Sequence, residues 1–401
     1  MTTLLRLPAE ITELIFAELP PSDLLRLRQA CREANARTIH IVGPKLFQKG
    51  NVTLERQSLQ CLSNVSKCHH LASSIRTLNI CIYQHLSFGD IQHTVSHFDW
   101  YMQAIDLQRE LEDLKQLLLG GRDIEALAQI LRRLTGCKRI NIYQSDQPSD
   151  MRNLDCGLNI LSPTAFINQS SKGLGSVRDI FHVVLTAVVS SGLDIEILDF
   201  TCPKLLMGEA TPVVYEMFAG LSSAISERSG LESLRDLRIL LDLTKDISTG
   251  WVSEFVHFMS LFPQLVDLQL HFQPQLRFDR ESCKEFATLW STLYIPNLEK
   301  LDLGSIDCTG SDLSLFILRH RTTLREIHLE TINLIDGTNA WNLIIEILRC
   351  MFDAVSFTMV ECLSAGRELQ YLSDDGEDFD VLEATSPAGL GDIALSLRRA
   401  I

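Results

Sequence analysis

Residues 298–308 read LEKLDLGSIDC and residues 324–334 read LREIHLETINL. Both place leucine or isoleucine at their first, fourth, sixth and ninth positions. Side chains two apart on an extended chain point to the same side, so Leu301 with Leu303, and Ile327 with Leu329, are expected to face one core. Read as L-x-x-L-x-L, the template recurs upstream at Ile75/Leu78/Ile80, Cys137/Ile140/Ile142, Ile195/Leu198/Phe200, Leu234/Leu237/Ile239 and Leu265/Leu268/Leu270. Successive starts are 62, 58, 39, 31, 33 and 26 residues apart.

The stretches between templates carry helical periodicity. Leu107, Leu111, Leu114 and Leu118 fall on one face, and 252–261 and 343–351 are also apolar at helical spacing. A strand followed by a returning helix, stacked beside the next such pair, is the logic of a repeat architecture. The expected fold is therefore α/β: an N-terminal helical unit followed by an irregular leucine-rich-repeat-like solenoid. Gaps near 60 residues imply a further repeat or long helical insertions, and 52–54 (VTL) reads as an additional first strand. The expected domains are 1–45, helical; 46–365, repeats; and 366–401, an acidic linker with a short final helix around Ile393, Leu397 and Ile401. Within that linker, 373–378 (SDDGED) is acidic and turn-like.

If the strands are right, the alternate residues line the opposite, concave face. These are Arg139, Asn141, Tyr143, Asp236, Arg238, Gln269, Lys300 and the expected target-binding set Asp267, His271, Asp302, Glu326, His328 and Glu330. That set is mostly acidic, which favours basic residues in a target. A strand face turned to water is polar anyway, so polarity alone does not make it a site.

Composition bounds the function. With 401 residues, 46% apolar and 22% charged, the chain is an ordinary globular protein. A net charge of −15 argues against a general nucleic-acid binder. The longest near-continuous apolar run, 180–189, is far too short to span a bilayer, and no secretory signal is legible, so neither membrane nor nucleic acid is an expected partner. Eleven scattered cysteines without a C-x-x-C pair read as reduced thiols, which places the expected location in the cytoplasm or nucleus.

Residues 5–38, LRLPAEITELIFAELPPSDLLRLRQACREANART, form the other organising stretch. Pro8 suits a helix start. Ile11, Leu14, Ile15 and Leu19, widened by Phe16, make one apolar stripe. Pro20-Pro21 ends that helix, and Ser22 is expected to cap a second. Leu24, Leu27 and Cys31, broadened by Leu25 and Ala30, make the second stripe, beside a basic side of Arg26, Arg28 and Arg32. Two helices this short cannot bury both stripes on each other, so a partner or the rest of the chain must cover one.

Leu7-Pro8-x-Glu10-Ile11, Ile15-Phe16-x-x-Leu19, Leu24-Leu25-x-Leu27 and Cys31-Arg32 resemble an F-box, of the kind that opens fungal F-box proteins with leucine-rich repeats. The resemblance implies a three-helix motif that docks on the Skp-type adaptor, and through it the cullin, of an SCF-type ubiquitin ligase. Carried over by position, it implies adaptor contacts at Leu7, Pro8, Ile11, Ile15, Leu24 and Leu25. One departure is Ala34, where F-boxes often carry an aromatic residue. The third helix, expected over 34–42, would pack less tightly for it.

Chemical motifs are sparse. His93 and His97, with Asp90 and Asp99 near them, have i, i+4 spacing but no third ligand, and Cys61, Cys68, His69 and His70 form a looser group. Gly173-x-Gly175 lacks a phosphate-loop lysine, and no nucleophile elbow is present. The expectation is a non-enzyme with no cofactor and no metal: a ligase substrate-recognition subunit with an unidentified protein target. The alternative is an interaction scaffold whose F-box-like helices pack on its own repeats.

Overall fold

The computed structural model describes residues 7–54, 56–83, 122–145, 158–159, 177–200, 213–214, 231–242, 250–272, 280–351, 356–368, 381–386, 389–390 and 393. The chain divides into two compact units, Met1–Ile195 with Cys202–Ala210, and Glu196–Thr201 with Thr211–Ile401.

The first unit opens with three helices, α1 (Ala9–Glu18), α2 (Pro21–Ala30) and α3 (Arg32–Leu46). Pro21 occupies the first helical position of α2, where its missing N–H costs nothing, so this helix starts before the expected Ser22 cap. The α3 helix spans 32–46, outrunning the expected 34–42, and Ala34 is buried in it. Phe16, Leu24, Val42 and Leu46 form the core of the three helices, with Leu19, Leu27, Ile41 and Phe47 packed around it. Lys45 Nζ donates to Ala17 O and, at 2.7 Å, to Leu19 O, satisfying carbonyls that the end of α1 leaves open.

There follow β1 (Lys49–Val52), α4 (Arg56–Ser66), α5 (His69–Ala72), β2 (Thr77–Tyr83), α6 (Arg122–Arg133), β3 (Arg139–Ser145), β4 (Leu158–Asn159) and α7 (Val177–Ser191). The strands run parallel in the order β4-β1-β2-β3. Gly50 and Val52 pair with Leu78 and Ile80. The first strand therefore lies at 49–52, three residues before the expected one, with a glycine in a leucine position. On the other face Asn51, Asn79 and Asn141 are in register and hydrogen-bond in series. Asn79 Nδ2 donates to Asn51 Oδ1 at 2.6 Å, and Asn141 Nδ2 to Asn79 Oδ1 at 2.7 Å. Asn51 and Asn79 are buried, so this ladder supplies the partners that buried amides require.

The second unit contains β5 (Ile197–Phe200), β6 (Val213–Val214), β7 (Asp236–Asp242), α8 (Trp251–Met259), β8 (Asp267–Phe272), α9 (Arg280–Thr292), β9 (Lys300–Cys308), α10 (Gly310–Arg319), β10 (Glu326–Leu334), α11 (Thr338–Cys350), β11 (Ser356–Val360), β12 (Leu363–Ser364), β13 (Arg367–Glu368) and β14 (Val381–Ala384). Strands β5, β7, β8, β9, β10 and β11 are parallel neighbours in that order. Each strand position therefore continues as a row across the sheet. Every leucine-template residue named above, in both units, is buried. The first of each triplet sits in the turn before its strand, where backbone bonds such as Val266 N to Arg235 O (2.9 Å) and Glu299 N to Val266 O (2.8 Å) tie one turn to the next. The helices supply large side chains to the same core, among them Trp251, Phe255, Trp290, Phe316 and Trp341.

Two features were not expected from sequence. Phe357 and Met359 of β11 align with Ile327 and Leu329 and are buried, carrying the buried rows onto one more parallel strand. Part of the stretch read as linker is β14, antiparallel to β11. The acidic run 373–378, the stretch 105–119 expected to be helical and the terminal Leu397 and Ile401 lie outside the described residues.

Beyond their second buried residue, β9 and β10 bend. Ser305 and Thr331 have φ of 56° and 55°, and Glu361, at the matching place after β11, has 48°. The bend inserts one residue into the in-out alternation, so Leu301 and Leu303 are followed by Ile306 and Cys308, all buried. The spacing L-x-L-x-x-I-x-C is the sequence trace of that left-handed residue.

Candidate functional site

Two surfaces gather the residues singled out from sequence. The first is on α1. Its inward side is Thr12 and Phe16, while Ile11, Leu14 and Ile15 face outward; Leu14 is 65% exposed. Leu7, Pro8 and, on α2, Leu25 are exposed as well. Of the six expected adaptor contacts, Leu24 stands apart. It is fully buried, packed in the cluster with Phe16, Val42 and Leu46, so its side chain holds the helices together and does not reach the surface.

The basic side of α2 is partly committed to the unit itself. Arg28 Nε donates to Asn35 Oδ1 at 2.8 Å, and Arg26 pairs with Asp23 at 3.3 Å on the surface, while Arg32 is exposed. Exposed pairs of this kind contribute little stability.

The second surface is the sheet face of the second unit opposite the leucines. Parallel register sets Asp236, Asp267, Lys300 and Glu326 in one row, and Asp199, Arg238, Gln269, Asp302 and His328 in the next. His271, Gly304 and Glu330 make a third row. All six expected target-binding residues thus lie on one face, on three adjacent strands.

A compact cluster forms at its centre. His271 Nε2 is 2.8 Å from Asp302 Oδ1, and its Nδ1 is 3.8 Å from Glu330 Oε2. The carboxylate only accepts, so Nε2 carries the proton and donates to Asp302. Gly304 makes this possible: a Cβ there would stand 2.6–2.9 Å from the imidazole ring. Lys300 pairs with Glu326, and Arg238 makes two bonds to Asp236 at 3.1 and 3.2 Å. Burial and the neighbouring Asp236 push the Asp267 carboxyl above its usual range, against the pull of Arg238 and Lys300. Such a face suits a cationic group, whose charge would relieve the crowding of carboxylates.

In the first unit the corresponding polar positions behave differently. Asn141 belongs to the amide ladder, and Arg139 donates to it at 2.7 Å. The Tyr143 side chain lies outside the described residues. No group of three or more His, Cys, Asp or Glu that would hold a metal occurs among the described residues, and His93 and His97 lie outside them. The described cysteines are free; burial pushes the Cys137 and Cys362 thiols up to about 12, while Cys61, Cys68 and Cys350 are exposed. Among the described residues no helix is long and apolar enough to cross a membrane.

Residues 4–36 match the model of the F-box-like family. The three-helix unit is therefore F-box-like, a class whose members bind Skp-type adaptors, and the body that follows it is α/β. No curated protein matches the chain.

Proposed function

We propose that the chain is a non-catalytic substrate-recognition subunit of an SCF-type ubiquitin ligase, working in the cytoplasm or nucleus. Its F-box-like helices bind a Skp-type adaptor and its repeat body holds a target protein. The observation that carries the reading is the outward apolar stripe of α1. Leu7, Pro8, Ile11, Ile15 and Leu25, joined by Leu14, offer a surface that water does not favour and a partner would cover. Leu24 acts behind it as packing. The exposure of this stripe weighs against the scaffold reading, in which the chain's own repeats would cover the helices.

The body is read as a leucine-rich-repeat-like domain over 46–365. Its support is the succession of parallel strands with buried template residues and intervening helices. The target is read as binding the face of Asp267, His271, Asp302, Glu326, His328 and Glu330 through basic side chains. Capture of the purified adaptor by the wild type and by Ile11→Asp/Ile15→Asp tests the first half: loss in the variant is expected, and equal capture overturns it. Charge reversal at Glu326 and Glu330 tests the second. Unchanged recovery of ubiquitinated targets, with the proteasome blocked, would remove it.

A further inference from the structure

The large apolar side chains exposed among the described residues fall into two stretches: Leu7, Ile11, Leu14, Ile15 and Leu25 at one end, and Tyr294, Leu315, Leu318, Ile335 and Leu343 in the second unit. Leu318 of the latter borders a groove of about 710 Å³ between the ends of α10 and α11, with Ile347 and Met351 completing its apolar lining and Arg321, Arg325 and Glu346 beside them, Glu346 being paired with Arg349 at 3.1 Å. Arg325 is anchored by bonds to Leu324 O and Thr322 O at 3.2 and 3.1 Å, which fixes its charge at the groove. Arg321 is exposed. In a chain carrying −15, two arginines flanking an apolar groove select an acidic partner.

The chain itself contains a helix of that description. Its α1 segment, AEITELIFAE, exposes Ile11, Leu14 and Ile15 together with Glu10, Glu13 and Glu18, and has no basic residue. An amphipathic helix lays its apolar face into a groove with its charges at the rim. We infer that α1 of one copy docks in the α10–α11 groove of a second copy, with Glu10 and Glu13 against Arg321 and Arg325. The two surfaces differ, so the contact is head-to-tail and each docked copy offers a further groove. It uses the stripe assigned above to the adaptor, but it rests on the exposed surfaces alone and stands or falls independently of that assignment.

Sedimentation velocity of the purified full chain, without adaptor, tests it. The wild type is expected to associate as concentration rises, and less so at high salt, because exposed charge pairs are screened. Arg321→Glu/Arg325→Glu and, separately, Glu10→Arg/Glu13→Arg should each weaken association about tenfold. An equimolar mixture of the two reversed variants should restore it, the two variants alternating one to one along the head-to-tail assembly. Leu318→Asp and Leu14→Asp make the same test through the apolar contacts, if circular dichroism shows either charge variant misfolded. A wild type that stays monomeric at every concentration overturns the inference. So does association that survives all four variants, or reversed variants that fail to combine.

Discussion

Isoleucine and leucine recur at regular spacing both in α1 and in the parallel strands of the body, and the two regions dispose of them in opposite ways. In the strands every template side chain is buried, because each strand has a parallel neighbour and a helix layer closing over it. In α1 the regular stripe of Ile11, Leu14 and Ile15 is outside, while the less regular Thr12 and Phe16 are inside. A three-helix unit has one small core, and Phe16, Leu24, Val42 and Leu46 already fill it. Periodicity identifies a face; what covers that face depends on how much core the surroundings have to offer.

Substitutions at the two regions should therefore separate binding from stability. The largest effect is expected from Ile11→Asp/Ile15→Asp. With about 1.5–3 kcal/mol for each fully buried side chain, adaptor affinity should fall by roughly two orders of magnitude or more. The melting curve should change little, because exposed positions move stability by about 0.5 kcal/mol or less. Leu303→Ala is the mirror case. It should cost about 2–5 kcal/mol in urea unfolding and leave adaptor affinity unchanged. If the two variants behaved alike, the contrast between the regions would collapse.

Smaller changes sharpen the picture within the second unit. Gly304→Ala drives a Cβ into the His271 ring and should cost about 1–3 kcal/mol. Most of that cost should vanish in a His271→Ala background, a non-additivity that a double-mutant cycle reads directly. Thr331→Gly should instead stabilise, by up to about 1 kcal/mol, since a β-branched residue at φ 55° is strained and glycine is not.

The last test is pH. His320 is buried; its Nε2 accepts from Ile295 N at 3.0 Å and its Nδ1–H donates to Phe316 O at 2.9 Å, so the ring is neutral in the fold. Burial lowers its pKa from 6.5. The unfolded chain then binds the proton first. Stability contributed by this site is complete above about pH 6.5 and is lost as pH falls toward the folded value. Urea midpoints measured between pH 7.5 and 5.5 should show this decline, and His320→Gln should flatten it.

Much of the second unit was legible in the sequence. L-x-x-L-x-L located the cores of β7 to β10, and once parallel register is granted the same count places Asp267, Asp302 and Glu326 on one face. The β11 strand was missed because Phe357 and Met359 fill the leucine places, and β1 was misplaced because Gly50 does. The His271–Asp302–Glu330 cluster was illegible for another reason. It joins residues 31 and 28 positions apart through a gap left by a missing side chain, and composition cannot signal a gap. Nor could the sequence tell that Leu24 and Leu25, adjacent and chemically alike, would take opposite sides of α2 as core and surface.

The left-handed residues Ser305, Thr331 and Glu361 stand at matching places in or just after the neighbouring strands β9, β10 and β11. No one of these strands can straighten alone, because beyond the bend it would lose register with its neighbours. The strain is thereby shared as a mechanical interlock. Strands that each contact only their neighbours can open from the edge, one at a time; β9, β10 and β11 should open together. In hydrogen exchange the amides of Ile306, Ile332 and Cys362 would then share a single opening free energy, with no gradient rising inward from the C-terminal edge.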